Sequence, residues 1–554
     1  MELKFDENYR LFLLSCSAAD SSLAKRAGFK FVKEWQLFVS PHLHSVKKVA
    51  NLNDSYTQNF IREMEKVFDT EYKASMAATP YTAFTVPLPE GKVLKPYQFA
   101  GVEYLARRMR SLLADDMGLG KTIEIIAACN LWNKIEPLKR ILIVCPANAR
   151  INWMREWMQW STLKGTPSIG TSCYFPNSPV VIINYDILVK LDDHIKAVDW
   201  DVVIFDEAHM LKESKSARTK IAFGGYDIVG GKRKWQKPIS TKRTILATGS
   251  PIVNYTIELF PLLKFLSPYG WGDKMSFARR YCDLKVIAGR WDFKGSSNLE
   301  ELQYKLRSTV MLRRTKDLVA KFLPPKIRTI YELEPTGKLA KRSATITEAA
   351  KEVVGGAKGL QEYTNEDWEK VISGLKNWRN KDNTVPIATI REEEAREKIP
   401  LVVSHLKLEL QKHKKVVLFC YHRVMAEELR KKFADISVSL TGETSQSDRQ
   451  KVVDRFQNDE SVHLFIGNVR AAGTAITLTA ASIIIFAEYD WTPGIMYQAE
   501  DRIHRIGQTA DHVIIQYLAV KDTIDAHMLK TIMGKTKTID KAVNDRVGLD
   551  KLLT

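Results

Sequence analysis

Apolar runs and helical stretches alternate along two parts of the chain, and this pattern predicts two parallel β-sheets. Short runs of Ile, Val, Leu and Phe recur between residues 91 and 270, and a second series starts near residue 401. Strands that are apolar at nearly every position, with helices between them, are typical of parallel sheets buried on both faces. The fold class is therefore α/β with two parallel-sheet lobes. The predicted strands are 141–144, 180–183, 202–205 and 244–246 in the first series and 416–421, 463–466, 483–486 and 513–517 in the second.

The segments outside the two series define the remaining predicted domains. The N-terminal part carries strand patterns at 29–32 and 35–39 and helical patterns at 41–50 and 56–71, which indicates a small α+β module. Residues 271–400 lack regular strand alternation. The predicted domains are the N-terminal module 1–90, the first lobe 91–270, a helical insertion and connector 271–400, the second lobe 401–525 and a basic helical tail 526–554.

A glycine-rich, basic interruption lies inside the first lobe. It contains Gly224-Gly225 and, a few residues later, Gly230-Gly231-Lys232-Arg233-Lys234. We expect a mobile loop here. A DNA contact and a solvated linker both fit its composition.

A glycine-bearing loop follows the first short apolar run of the first lobe, and a helix of residues 99–110 precedes it. Glycines let successive N–H groups point at a phosphate, Lys121 would reach the β- and γ-phosphates, and Thr122 would offer its hydroxyl to Mg²⁺. The general pattern requires glycine where Asp115 stands, so the loop alone also fits a glycine turn before an ordinary helix. The predicted nucleotide contacts in this loop are Asp116, Met117, Gly118, Leu119, Gly120, Lys121 and Thr122.

Acidic and small hydroxyl residues follow two later strands of the same lobe. Asp206 would hold the Mg²⁺ shell and Glu207 would polarise the attacking water, because ligands of such sheets bind at the carboxyl ends of the strands. His209 would link this pair to a neighbouring segment, and the hydroxyl residues around Gly249 and Ser250 could bond to the pair. Acidic pairs are common on surfaces and the second segment also fits a plain turn. The interpretation therefore depends on their order after the loop.

Two arginines stand out in the second lobe. Arg502 and Arg505 are three residues apart, so on a helix both would face one way. Two guanidinium groups suit the transition-state charge of a γ-phosphate. An exposed, ion-paired helix is the alternative.

Charge and cysteine usage restrict the partners and the compartment. The 554 residues carry a formal net charge of +18, which makes nucleic acid the first candidate partner and a solvated basic surface the alternative. The six cysteines lie far apart, so we expect reduced core thiols and no zinc site. The chain shows no apolar run long enough for a membrane span, and its first residues are too charged for a secretory signal.

Taken together, these strings resemble the Swi/Snf-type branch of the superfamily-two helicase-like ATPases, and within it the HepA-related, HARP-bearing annealing helicases. The resemblance covers about residues 94–535, and this family has an acidic residue at the position of Asp115. It implies two RecA-like parallel-sheet lobes with helical insertions and a small N-terminal α+β module. The strings that carry it are 113–122, 206–209, 249–251, 280–282, 295–299, 310–316, 323–326, 471–479 and 498–508.

The resemblance also implies a function and assigns further residues. It implies a DNA-dependent ATPase that translocates on duplex or branched DNA and acts in fork remodelling, branch migration or strand annealing during replication and repair. Gln98 would read the adenine edge, Gly473 would contact ATP, and Gln498 would join the coupling residues. The implied catalytic residues are Lys121, Asp206, Glu207, Arg502 and Arg505, and the implied coupling residues are His209, Gly249, Ser250 and Gln498.

The expected cofactors are ATP and Mg²⁺, and the expected partners are DNA and a replication or repair protein. We expect a monomer away from membranes, in the cytoplasm of a bacterial or phage-infected cell, or in the nucleus of a eukaryote. Residues 29–50 are similar to the HARP module, although a packing cap also fits them. The alternatives are an ATPase that displaces proteins such as RNA polymerase from DNA, the motor subunit of a defence system, and an inactive nucleotide-gated scaffold. Competent residues at every predicted catalytic position argue against the scaffold.

Overall fold

The computed structural model describes residues 2–6, 11–40, 43–49, 55–229, 232–287, 289–321, 323–337, 339–340, 387–472, 476–505, 507–521 and 523–543. The chain divides into two compact units, Met1–Ala320 with Ile539–Arg546, and Lys321–Thr538 with Val547–Thr554. Every helix within the described ranges is too short or too polar to cross a membrane.

The N-terminal module is a four-stranded antiparallel sheet in the order β1-β2-β4-β3, covered by helices. Its core is aromatic and includes the buried rings of Phe12, Phe38 and Phe68. The strands and helices predicted in residues 29–71 are present with shifted ends, and β1, β2 and α1 add to them. The elements are β1 Glu2–Asp6, β2 Leu11–Ser15, α1 Ser21–Ala27, β3 Lys30–Val32, β4 Leu37–Ser40, α2 Leu43–Val49 and α3 Ser55–Ala74.

The first lobe is built on a seven-stranded parallel sheet in the order β15-β5-β12-β9-β6-β8-β7. Its strands are β5 Arg110–Leu113, β6 Ile141–Cys145, β7 Ser168–Ile169, β8 Val180–Asn184, β9 Trp200–Asp206, β12 Thr241–Ala247 and β15 Met311–Leu312. Its helices are α4 Pro96–Ala106, α5 Lys121–Ile135, α6 Arg150–Trp160, α7 Tyr185–Lys190, α8 Asp192–Lys196, α9 Ala217–Phe223, α10 Phe260–Leu266, α11 Lys274–Tyr281, α12 Leu299–Thr309 and α13 Lys316–Val319.

Both faces of this sheet are buried, as the continuous apolar runs predict. Ile143 and Ile204 pack into one core, whereas Val144 and Phe205, one position further along each strand, pack into the core on the other face. Side chains of a strand alternate between faces, so only an uninterrupted apolar run can fill both cores. All four strands predicted for this lobe are confirmed within three residues at each end.

Three segments between residues 99 and 400 differ from expectation. The helix expected at 99–110 ends at Ala106, and Arg110 is already the first residue of β5. The glycine-rich interruption forms a hairpin of β10 Gly225–Val229 and β11 Lys232–Gln236, while Gly230 and Gly231 lie outside the described residues. The interval 271–400 contains a second hairpin, β13 Lys285–Ile287 with β14 Arg290–Asp292, and contributes β15 to the first sheet. Residues 341–386 of that interval also lie outside the described ranges.

The second lobe carries a six-stranded parallel sheet in the order β16-β21-β20-β17-β19-β18. Its strands are β16 Lys326–Leu333, β17 Val416–Cys420, β18 Ser437–Leu440, β19 Leu464–Asn468, β20 Ile483–Phe486 and β21 Val513–Val520. Its helices are α14 Ile387–Lys412, α15 Arg423–Lys432, α16 Gln446–Asn458, α17 Val469–Ala472, α18 Pro493–Glu500 and α19 Ile524–Val543. Of the basic helical tail expected at 526–554, residues 544–554 lie outside the described residues. The last residues of α19 count with the first unit, where the Val543 carbonyl accepts from Arg307 at 2.9 Å.

The predicted α/β class, with two RecA-like parallel-sheet lobes and a small N-terminal α+β module, is confirmed. Within the two parallel sheets, the four strands that the pattern did not predict, β7, β15, β16 and β18, are the edge strands. β7 and β15 are two residues long, and β16 is half-exposed along its length. A strand paired at the edge of a sheet does not need apolar residues on both faces, so its sequence lacks the continuous run.

Candidate functional site

The glycine-bearing loop joins β5 to α5, and its backbone requires glycine at two positions. Gly118 and Gly120 have φ of +83° and +85°, in the left-handed region that residues with a Cβ rarely adopt. The Nζ of Lys121, the first residue of α5, donates to the carbonyl oxygens of Asp115 at 2.8 Å and Asp116 at 3.2 Å. Burial lowers the pKa of Lys121, and nearby carboxylates, Glu207 first, act in the opposite direction. The loop thus places one amine at the N-terminus of a helix, where anions are favoured.

Gln98 is buried in α4 and contacts this loop directly. Its Oε1 accepts from the backbone N–H of Lys95 at 2.9 Å, and its Nε2 donates to the Leu119 carbonyl at 3.3 Å. The Tyr97 hydroxyl donates to the same carbonyl at 2.8 Å. A Cβ at Gly120 would lie 2.6 Å from Nε2 of Gln98. An adenine contact by Gln98 therefore requires its amide to release or share one of these backbone bonds.

A fully buried ion cluster explains the acidic residue of the loop. The Arg314 guanidinium donates to both carboxylate oxygens of Asp115 and, at 2.6 Å, to Glu124. Burial opposes the charge on Arg314, but the Asp115 and Glu124 carboxylates outweigh it, so its pKa lies above the ordinary value. Burial raises the pKa of Glu124. A Cβ at Gly101 would lie 1.9 Å from Oε2 of Glu124, so the cluster also needs glycine in α4.

A second arginine connects the loop to the segment after β12. Arg313 pairs with Asp116 at 2.7 Å and donates to the carbonyls of Ala114 and Gly249. The other carboxylate oxygen of Asp116 accepts from the backbone N–H of Lys316 at 2.9 Å. Asp116, predicted as an ATP contact, is thus engaged by residues that follow β15.

The acidic pair stands at the end of β9, as predicted. Asp206 accepts from the Trp153 indole at 2.8 Å and from the backbone N–H of Glu207 at 3.0 Å. Burial and, next, the Glu207 carboxylate raise the pKa of Asp206 to about 6. Glu207 has φ +52° and ψ +50°, a left-handed conformation that is uncommon for a residue with a Cβ and is concentrated at functional sites.

His209 joins the acidic pair to the end of β12. Its Nδ1 lies 3.2 Å from Oε2 of Glu207 and 3.0 Å from Oγ1 of Thr248. Thr248 is fully buried and its hydroxyl donates to Glu207 at 3.5 Å. Ser250, the predicted coupling residue, contributes its backbone N–H, which donates to Oγ1 of Thr248 at 3.1 Å. The hydroxyl that contacts the acidic pair is therefore that of Thr248.

Gly249 has a steric role at this junction. A Cβ at this position would lie 2.3 Å from Cγ of Met117 in the phosphate loop and 3.4 Å from Nζ of Lys121. Met117 is itself buried. The ends of β5 and β12 can approach this closely only without a side chain at 249.

The two arginines of the second unit come close together, but not on one helix face as predicted. Helix α18 ends at Glu500, so Arg502 and Arg505 lie in the turns that follow it rather than on one helix face. Arg502 is buried and donates to the carbonyls of Gln498 at 2.9 Å and Ile476 at 3.2 Å. Arg505 donates to the Asp501 carbonyl at 3.0 Å and to Oγ1 of Thr477 at 3.2 Å. Both side chains thus reach the adjacent residues 476 and 477.

The other two residues predicted in this unit are Gln498 and Gly473. Gln498 is buried in α18, whereas Gly473 lies outside the described residues. Buried Glu500 accepts two bonds from Arg328, at 3.0 and 2.7 Å, and one from the Tyr517 hydroxyl at 2.6 Å. Strands β16 and β21 therefore hold the helix end from which the two arginines follow.

Several residues of the site were not singled out by sequence reasoning. Trp153 and Glu124 each belong to an ordinary-looking helix, and only the fold brings them to the acidic pair or the loop. The sequence does contain a sign that Arg313 and Arg314 belong to the site. These two adjacent arginines directly follow the short apolar segment Met311–Leu312, which forms an edge strand beside β5.

Two expectations about single residues change. Trp35, in the segment that is similar to the HARP module, packs its ring on Tyr269 of the same unit with 5.3 Å between centroids, which favours the packing cap for this side chain. The cysteines were expected in cores, but Cys173 is exposed and Cys16 is half-buried.

Comparison with known proteins gives a consistent result. The SNF2-related domain matches residues 97–383, and the Helicase conserved C-terminal domain matches residues 397–507. The SWI/SNF-related matrix-associated actin-dependent regulator of chromatin subfamily A-like protein 1 of Xenopus laevis is 32% identical over 527 residues, which cover 92% of this chain and 51% of the relative. The DNA annealing helicase and endonuclease ZRANB3 of Mus musculus is 30% identical, covering 82% of this chain and 41% of the relative.

The chain spans about half the length of these curated relatives. The solved Sulfolobus solfataricus SWI2/SNF2 ATPase core in complex with dsDNA is 23% identical, covers 84% of this chain and 100% of that chain, and aligns with a TM-score of 0.38, too low to support a structural argument. The domain match is decisive, since it extends over more than half of the 554 residues. The chain belongs to the SNF2-related family.

Proposed function

We propose that this chain is an ATP-dependent DNA translocase that acts on duplex or branched DNA in fork remodelling, branch migration or strand annealing. The proposal is carried by the meeting of Lys121, the Asp206–Glu207 pair and Thr248 at the carboxyl ends of three neighbouring strands in an SNF2-related chain. One relative is by name a DNA annealing helicase, which supports DNA as the partner.

The nucleotide is held by the loop between β5 and α5. Its backbone N–H groups from Asp116 to Thr122 bind the phosphates, and the Lys121 amine turns from the Asp115 and Asp116 carbonyls to the β- and γ-phosphates. Gln98, already bonded to the loop at Leu119, contacts the adenine.

The acidic pair fits a divalent cation. Asp206 is half-buried beside the Glu207 carboxylate, and loss of solvent contact first and that carboxylate second raise its pKa to about 6, two effects that a bound cation would offset. Thr122 and Asp206 would hold Mg²⁺, which supplies positive charge to the phosphate oxygens when bound. Trp153 fixes Asp206 through a hydrogen bond of 2.8 Å.

Glu207 orients the attacking water and accepts its proton at a carboxylate oxygen. Its backbone turn and the His209 and Thr248 contacts hold the carboxylate at the end of β9. His209, Gly249, Ser250 and Gln498 couple hydrolysis to DNA, while Gly473 contacts ATP. Arg502 and Arg505 stabilise the charge that develops on the γ-phosphate.

The test is ATP turnover measured with single-stranded, duplex and forked DNA. Lys121→Ala is expected to weaken ATP binding, whereas Glu207→Gln keeps binding and stalls hydrolysis, because only the proton acceptor is removed. Glu213→Gln, an exposed glutamate just beyond the acidic pair, is the matched control. Parent-level turnover by Glu207→Gln would refute its assigned role.

The rival activity is displacement of a bound protein such as RNA polymerase, by this chain alone or within a defence complex. Reannealing of protein-free bubbles separates the two, since only an annealing motor acts on them. A parent protein that hydrolyses ATP with DNA but leaves bubbles open would favour displacement.

A further inference from the structure

The hairpin of β10 and β11 exposes two large aromatic rings. Its strands pair with each other and with no other described strand. Tyr226 and Trp235 are directly opposite in register, with ring centroids 5.0 Å apart at 64°. They are 55% and 52% exposed, although neighbouring aromatic rings of a folded chain are usually buried. The pair therefore presents ring surface to solvent.

The base of this hairpin is held firmly by the first lobe. Gly224 has φ +79°, and a Cβ there would lie 3.2 Å from the Gln236 carbonyl oxygen. The Gln236 side-chain amide donates to Asp192 at 2.9 Å. Lys220 of α9 pairs with Asp227 at 2.8 Å. The aromatic pair thus stands on an anchored support.

Positive charge accompanies the rings. Lys232, Lys234 and Lys237 are exposed on or just after β11, while the single carboxylate of the hairpin, Asp227, is paired with Lys220. Lys232 and Lys234 alternate with Trp235 along the strand, so they lie on the face of the ribbon opposite the rings. Exposed aromatic rings beside lysines suit a nucleic-acid strand whose bases are free to stack, because the rings take the base faces and the lysines take the phosphates. In a duplex the base faces are covered by their neighbours, so they cannot stack on these rings.

A second hairpin provides the comparison within the same unit. Trp291 of β14 is 53% exposed, but its opposite residue is Val286 and not an aromatic. Lys285 of that hairpin pairs with Asp283 at 2.8 Å. This hairpin matches the first in form and exposure without the ring pair or the cluster of lysines.

We propose that Tyr226 and Trp235 stack unpaired bases of a DNA strand, and that Lys232 and Lys234, on the other face of the same two-stranded ribbon, add positive charge that attracts its phosphates. The inference rests on the proposed function and deepens it, since it names the unpaired part of a fork or junction as the feature that the first lobe contacts. The hairpin connects the segment after Asp206 and Glu207 to β12, which ends at Ala247, one residue before Thr248. A DNA strand bound at the hairpin is therefore connected to the acidic pair through β12.

The experiment compares affinity for a blunt duplex and for the same duplex with a single-stranded arm, by fluorescence anisotropy with the full chain. Tyr226→Ala/Trp235→Ala is expected to lose about tenfold or more in affinity for the armed DNA, since each stacked base contributes ~1–3 kcal/mol. Blunt-duplex affinity should stay unchanged, and Trp291→Ala should leave both affinities at parent values. Lys234→Gln should reduce the salt slope for the armed DNA by about 0.7.

Three results would overturn the proposal: armed-DNA affinity unchanged in the double variant, an equal loss for both DNAs, or an equal loss in Trp291→Ala. If the double variant fails to fold, Trp235→Phe, which keeps a stacking face, should retain the arm preference and Trp235→Ala should lose it. A 2-aminopurine in the arm should be quenched by the parent and not by Trp235→Ala. DNA-stimulated ATPase on the blunt duplex, measured in parallel, tests the proposed function separately, because the hairpin variants should leave it intact.

Discussion

Arg314 has no exposed surface and lies between the carboxylates of Asp115 and Glu124. In the interior, a buried carboxylate without its cation is strongly destabilising, so the three side chains act as one unit. Asp115 occupies the place of a loop glycine because it belongs to this cluster. The cluster connects the phosphate loop to the residues that follow the edge strand β15.

Replacing Arg314 tests the cluster. Arg314→Met is expected to lower the free energy of unfolding by about 3–5 kcal/mol, because it leaves two buried carboxylates uncompensated. The control is Arg280→Met, whose pair with Glu301 is 57% and 43% exposed and should contribute ~0–1 kcal/mol. Chemical denaturation measures both. Equal stability of the two variants would mean that the cluster does not hold the loop.

Replacing the two arginines of the second unit is expected to have different effects on turnover and on stability. Arg505→Ala should keep ATP and DNA affinity within a few-fold and reduce DNA-stimulated turnover by ~10³-fold, because a finger acts on transition-state charge. Arg502→Ala should also lower stability, since buried Arg502 holds two backbone carbonyls. Lysine should not rescue position 505. Nucleotide affinity that falls in step with turnover in Arg505→Ala would show a binding role instead.

At the scale of elements, the N-terminal module packs on the first lobe through α3. Tyr72 stacks on Tyr304 of α12 with centroids 5.3 Å apart, and the Tyr304 hydroxyl donates to Asp69 at 2.8 Å. The Ser75 carbonyl accepts from the backbone N–H of Arg313 at 3.0 Å. The module therefore packs directly against the residues that hold the phosphate loop.

Deletion of residues 1–90 should lower the thermal midpoint and the solubility of the protein, because it uncovers α12 and removes the Ser75 contact. Exposed Lys48 offers the contrast: Lys48→Glu should keep the thermal midpoint and weaken forked-DNA affinity if the module selects branched DNA. Differential scanning fluorimetry and anisotropy give the two readouts. A deletion variant as stable as the parent would contradict the packing cap.

At the scale of the whole molecule, charge dominates the expected DNA interaction. A net charge of +18 suits non-sequence-specific tracking, in which lysines and arginines replace the counterions of the phosphates. ATPase stimulation by duplex DNA should therefore fall as a power of the salt concentration. DNA-free turnover over the same salt range is the control. Equal turnover with and without DNA at low salt would exclude a DNA motor.

The sequence by itself determined the two parallel sheets and the order of the chemical motifs. Continuous apolar runs can only be satisfied by burial on both faces, and glycine in the left-handed region leaves few alternatives at Gly118 and Gly120. Local sequence therefore sufficed for the central strands, the phosphate loop and the acidic pair.

Only the tertiary structure decided which residues surround those motifs. Arg314 reaches Asp115 from 199 positions away, and Thr248 rather than Ser250 supplies the hydroxyl beside Glu207. The edge strands and the end of α18 before Arg502 were likewise settled by pairing and packing. Such contacts depend on sheet order and on which side chains fit beside one another, and neither is encoded in the spacing of residues along the chain.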